Sequence, residues 1–252
     1  MITLQEIYTH LNALLQSRSF SDCCVNGIQV EGCPEIQRVA TAVSASVATI
    51  EAAVEAGVQL LIVHHGIFWN RDSPVVQGAK KEKLKLLLAN EISLMAYHLP
   101  LDAHQDVGNN WRAAKEMGWV DLQPFGMYDG MKIGVKGRVP RQSREVFKNS
   151  LETYYQHGAT CALGGKKEIE TVALISGGAY KSIEDAAAEG IDCFITGNFD
   201  EPAWHQAFET QVNFFAMGHS ATERVGPKAL CEYIQGRYPS VECQFLDLLN
   251  PF

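Results

Sequence analysis

The chain has 252 residues, 46% of them hydrophobic and 20% charged, with a formal net charge of −8, a balance that fits a folded globular protein and excludes a disordered one. The acidic excess argues against a nucleic-acid binder working through a broad basic surface. No run approaches the ~18 apolar residues of a membrane helix, and the N-terminus lacks the basic start of a signal peptide, so the expectation is a protein of the cytoplasm.

The first element is an amphipathic helix, with Leu4, Ile7, Leu11 and Leu14 at helical spacing. Val39 to Val43 is β-prone. Ser46 then serves as an N-cap for a helix over Val47 to Ala56, closed by Gly57. VQLLIV (Val58 to Val63) predicts a buried strand running into His64-His65-Gly66, followed by a helix over Lys80 to Asn90, the strand ISLMAYH and a helix from Asn109 to Met117. After a Gly-rich middle, strands TVALIS, IDCFIT, VNFFAM and VECQFLDL alternate with helices over Ser182 to Glu189, Glu201 to Glu209 and Glu223 to Tyr233. Such alternation indicates an α/β fold with a mostly parallel sheet covered by helices.

The halves resemble each other. A shift of 133 positions lays VATAVSASVATIEAAVEAGVQLLIV over VALISGGAYKSIEDAAAEGIDCFIT, with identities that include Val39/Val172, Glu51/Glu184 and Gly57/Gly190. The reading is two related α/β lobes, 1–125 and 126–252, with residues 131–165 decorating the second. Two β-α-β units of similar composition would also align this way, which is the plainer alternative.

Candidate chemistry gathers at strand ends, where open α/β sheets place ligands. His64 and His65 follow one strand. His98, Asp102 and His104 lie in HLPLDAH after another, and His219 and Glu223 in GHSATE after a third, with the i,i+4 spacing that aligns two side chains on a helix. Each group alone reads as readily as a structural or surface feature. Adjacent residues of a strand point to opposite faces, so His64 and His65 share a site only if the strand breaks there, which Gly66 would allow. The seven cysteines are odd in number and form no CxxC pair, which argues against a disulfide framework or a thiolate zinc site.

HHGIFW (64–69), YHLPLDAHQDVGNN (97–110), FITGN (194–198), GHSATE (218–223) and NGIQVEG (26–32) closely resemble the Nif-three-like family, whose bacterial members are called GTP cyclohydrolase I type 2 homologues, over essentially the whole chain. The resemblance implies a two-lobed α/β subunit, a ring-shaped homohexamer and a dinuclear divalent-metal site in the cleft between the lobes. It places His64, His65, Asp102, His219 and Glu223 on the metal-binding positions, with Glu223 as the bridging carboxylate, and leaves His98 and His104 as supporting candidates. Asn198 departs from the family pattern, where an acid often follows FITG.

Three imidazoles and two carboxylates suit Zn, Mn, Fe or Ni rather than Ca or Mg. Two divalent ions against two carboxylates leave an electropositive site for small anionic substrates. The leading expectation is therefore a metal-dependent hydrolase of a nucleotide-like or phosphorylated small molecule. One alternative is a non-catalytic metal-binding or scaffold protein. Another is a phosphoesterase or nucleic-acid-processing enzyme, for which Arg138, Arg141, Arg144 and Lys148 in the second lobe are the obvious candidate cluster and read first as a solvated helix face.

Overall fold

The hydrophobic runs of this sequence build two large sheets, beside a two-stranded pairing of Ile2–Thr3 with Glu35–Ile36. The computed structural model describes residues 2–252 and divides them into two units: the chain up to Leu101 with Gly226–Leu249, and Asp102–Val225 with Asn250–Phe252.

In the first unit a five-stranded sheet runs in the order Glu242–Phe245, Arg38–Ser44, Leu60–His65, Ser93–Ala96, Gly27–Val30. The first four strands are parallel and Gly27–Val30 is antiparallel to its neighbour. Leu60, Leu61, Ile62 and Val63 are all buried. Helices cover both faces of a parallel strand, so its core-forming run is continuous rather than alternating. The helix Val47–Glu55 starts at Ser46, whose hydroxyl accepts the Thr49 N–H at 3.0 Å. Its Ile50 and Ala53 pack on Ala40, Ala42, Leu61 and Val63.

In the second unit a six-stranded sheet runs Val120–Tyr128, Met131–Ser143, Glu168–Leu174, Cys193–Thr196, Asn213–Ala216, Thr160–Leu163. Only Glu168–Leu174, Cys193–Thr196 and Asn213–Ala216 are mutually parallel; the other pairings are antiparallel. The expectation of mostly parallel sheets therefore holds for the first unit, while the second is mixed. The cause is the segment over 131–165, which does not decorate the unit but supplies two of its strands. It also supplies Val135, Val139, Phe147, Leu151 and Tyr155 to the core around Val172, Ile195 and Phe215.

The unit boundaries differ from a single cut near residue 125. Within VECQFLDL, the strand Glu242–Phe245 pairs in parallel with Arg38–Ser44, Glu242 opposite Arg38 and Phe245 opposite Thr41. The C-terminal strand thus closes the open edge of the first unit's sheet, where unpaired backbone groups would otherwise face water.

The internal repeat is present in the backbone. Val39 pairs with Leu60 and Val172 with Cys193, the same register displaced by the 133 positions read from the sequence. Gly57 and Gly190, at φ +61 and +69, end corresponding helices, and each is followed by a return bond from Val58 to Ala53 or from Ile191 to Ala186.

Candidate metal centre

In the first unit, His64 and His65 end the strand Leu60–His65 and His98 follows Ser93–Ala96, its parallel neighbour. One ligating nitrogen from each of the three lies within 4.8 Å of the others. The strand does not break between His64 and His65 as the alternation rule requires for a shared site; it runs through both, and the two rings tilt together with centroids 4.6 Å apart. The turn comes one residue later. At Gly66 a Cβ would overlap the Gln29 amide, which accepts the Ile67 N–H at 2.7 Å and fixes the chain's departure.

Each ring is held through Nδ1. His64 Nδ1–H donates to the Tyr97 carbonyl at 3.1 Å, His65 Nδ1 and the Ser44 hydroxyl are bonded at 2.9 Å, and His98 Nδ1–H donates to the Asp22 carboxylate at 2.8 Å. The bonds of His64 and His98 to oxygen acceptors place the proton on Nδ1 and leave Nε2 as the nitrogen that would meet a cation. Trp69 stands edge-on to His98, centroids 5.2 Å apart.

Asp22 is the residue that sequence reasoning missed. Its side chain is 2% exposed, and it also accepts the Cys24 N–H, the Asn26 amide and the Leu99 N–H at 2.9–3.0 Å. Burial alone would raise its pKa. The bond and charge of His98, with the Asn26 amide and Cys24 N–H, outweigh burial and hold it at about 2.

In the second unit, Asp102 lies in the short helix Leu99–Ala103 and Glu223 ends the helix His219–Glu223. Both are buried, 5% and 3% exposed, and a carboxylate oxygen of one lies within 4.8 Å of one of the other. Asp102 Oδ1 accepts the Asn109 amide at 2.9 Å and the Ser176 hydroxyl at 2.8 Å. Ser176 is placed in turn by its N–H, which donates to Asn110 Oδ1 at 2.7 Å. The expected i,i+4 alignment is realised: His219 Nε2 stands 3.2 Å from Glu223 Oε1. His219 Nδ1–H donates to Asn198 Oδ1 at 3.1 Å, so the neutral Asn198 orients this ring without a charge. Gly177, at φ +66, must lack a side chain, because a Cβ there would overlap Glu223 Oε1 and come within 3.3 Å of His219 Nε2.

The remaining sequence candidates have local roles. His104 Nδ1 accepts the N–H groups of Asp106 and Val107 at 3.1 and 3.2 Å, closing a turn. The basic cluster is paired: Arg138 with Glu170, Arg141 with Glu168, Lys148 with Glu152 at 3.2 Å, and Arg144 with the Leu163 carbonyl at 3.1 Å.

The donors fit a divalent ion by their chemistry. Buried carboxylates this close repel each other, and a cation relieves that repulsion. Imidazole with carboxylate is a ligand set suited to Zn, Mn, Fe or Ni. Among the described residues no helix is long and apolar enough to cross a membrane.

Imidazoles and buried carboxylates beyond the ends of parallel strands define a mixed α/β protein with candidate metal-binding groups in each unit. The chain belongs to the Duf34/NIF3 (NGG1p interacting factor 3) family, whose model matches residues 2–251. It is 45% identical over 254 residues to a "GTP cyclohydrolase 1 type 2 homolog" of Chlamydia pneumoniae, covering 100% of both chains. Among solved structures it resembles the protein ybgI, of unknown function (TM-score 0.92, 36% identity), and TTHA1606 from Thermus thermophilus (TM-score 0.92, 34% identity), with 100% of each chain covered.

Proposed function

We propose that His64, His65, Asp102, His219 and Glu223 hold two divalent ions per subunit, drawn from Zn, Mn, Fe or Ni, with Glu223 shared between them. We propose further that the protein hydrolyses a nucleotide-like or phosphorylated small molecule. The observation that carries the reading is the buried pair Asp102 and Glu223, two carboxylates in a setting that favours a cation beside them. The Nδ1 bonds of His64 to the Tyr97 carbonyl and of His219 to Asn198 Oδ1 support it, since each leaves the opposite ring nitrogen for a ligand.

A pair of divalent ions, when bound, would lower the pKa of a coordinated water toward neutrality and polarise substrate oxygens. The protein's own residues supply position and charge. Ser176 and Asn109 favour the ionised form of Asp102 by donating to it, and Asn198 and Ser44 prevent rotation of the His219 and His65 rings. The relatives' shared name points to GTP as the first substrate to try. The family resemblance extends the proposal to a homohexameric ring acting in the cytoplasm.

Elemental analysis of the purified protein is expected to give about two metal atoms per subunit. Metal-loaded protein incubated with GTP is expected to release formate, the one-carbon product of opening the guanine imidazole ring. Unchanged metal content in both His65→Ala and Glu223→Gln would remove the ligand set. Absence of metal-dependent turnover, with His65→Ala matching wild type, would remove the hydrolase. A non-catalytic metal-binding role is the second reading, and it predicts tight metal binding with little turnover on a broad substrate panel.

A further inference from the structure

His98 belongs to two groups of potential ligands at once: one with His64 and His65, the other with Asp22 and Cys23, and in each group the ligand atoms lie within 4.8 Å of one another. The second group contains sulfur and is not used by the function proposed above. We propose that Asp22, Cys23 and His98 form a separate site for one thiophilic divalent ion, of which Zn is the type.

The arrangement has the features such a site needs. A thiolate, an imidazole and a carboxylate are accepted zinc ligands, and three protein ligands leave a fourth position open. Asp22 cannot drift, because the Cys24 N–H, the Asn26 amide and the Leu99 N–H fix both of its oxygens. Cys23 is half-buried and therefore reachable by an ion, whereas Cys24 beside it is only 3% exposed. The ionised Asp22 supplies the negative charge that draws a cation to the group.

Loading balances as follows. The Cys23 thiol gives its proton to solvent and becomes a thiolate. The hydrogen that His98 Nδ1 donates to Asp22 is replaced by the ion, and neutral His98 carries its proton on Nε2 instead. One proton is released per ion bound. With Nε2 protonated, His98 offers no lone pair to the side of His64 and His65, so filling the sulfur site withdraws His98 from the histidine group.

Cobalt is the probe. Titrating Co²⁺ into the intact, chelator-stripped and reduced protein is expected to raise a saturable near-ultraviolet thiolate-to-cobalt band. The band is expected to vanish in Cys23→Ser and to persist in Cys24→Ser and in His65→Ala. Zinc-edge X-ray absorption on zinc-loaded wild type, which needs no variant to fold, is expected to show a sulfur neighbour. No band and no sulfur neighbour in wild type, or a band that survives Cys23→Ser, would overturn the site. Loss of the band in His65→Ala would assign the sulfur contact to the centre proposed above, and would equally overturn a separate site.

Discussion

Replacing Asp22 with asparagine in metal-free protein tests whether one buried carboxylate organises the first unit's histidine group. The depression from 3.8 to about 2 corresponds to about 2 kcal/mol of preferential stabilisation of the ionised form, at roughly 1.36 kcal/mol per pKa unit. The amide side chain would keep the shape but turn an NH₂ group toward some of the four donors that Asp22 now satisfies. The expected destabilisation is about 2–4 kcal/mol, since an unsatisfied buried donor costs ~1–3 kcal/mol. The local readout is hydrogen exchange at the Cys24 and Leu99 amides, which donate to Asp22. About 2 kcal/mol predicts roughly 30-fold faster exchange if these amides open locally. Because the folded-state pKa is depressed, the stabilisation is fully present above the unfolded value near 3.8 and is lost as pH falls through about 2. The gap between wild type and variant should therefore narrow as pH falls below about 4. Exchange at both amides within twofold of wild type, or a gap that does not change with pH, would refute the reasoning.

Gly177→Ala forces a side chain into a left-handed backbone against Glu223; the melting temperature should report a loss of about 1–2 kcal/mol from the backbone alone, with metal content falling as Glu223 is displaced. Ser176→Ala removes the hydroxyl bonded to Asp102 at 2.8 Å, and competition against a chromogenic chelator should show roughly 10–100-fold weaker divalent-ion binding. Phe215→Ala empties the position where Phe147 packs edge-on, centroids 6.3 Å apart; urea denaturation should record a loss of about 3–5 kcal/mol.

The parts of the fold legible in the sequence are those whose signals are local. Ser46, Ile50, Ala53 and Gly57 spell out a helix start, a buried face and a stop within a dozen residues, and each performs that job. The strand Val120–Tyr128 escaped because it is an edge strand, mostly exposed and carrying Pro124 opposite Val135, a residue an edge tolerates and a central strand does not. Glu242–Phe245 was legible as a strand, but its partner was not. Pairing with Arg38–Ser44 depends on which sheet edge is open, and chain order does not encode that.

The same division separates the ligand candidates from what supports them. His64, His65, Asp102, His219 and Glu223 stand out, with His98 beside them, because imidazoles and carboxylates gathered at strand ends are chemically conspicuous over a few positions. Asp22 is an ordinary aspartate until the chain brings His98, 76 residues away, within 2.8 Å of it. Ser176 gains its meaning only by reaching Asp102, 74 residues back. One signal was present and unused. Asn109 and Asn110, adjacent within QDVGNN, are both 0% exposed, and paired asparagines opening a helix ask for buried acceptors. In the structure those amides lead to Asp102, already a candidate by residue type, and, through Asn110, to Ser176, which no local signal marks. Supporting residues are found by tracing unsatisfied hydrogen-bond capacity, whereas ligands are found by residue type. Only the second search can be completed on the sequence alone.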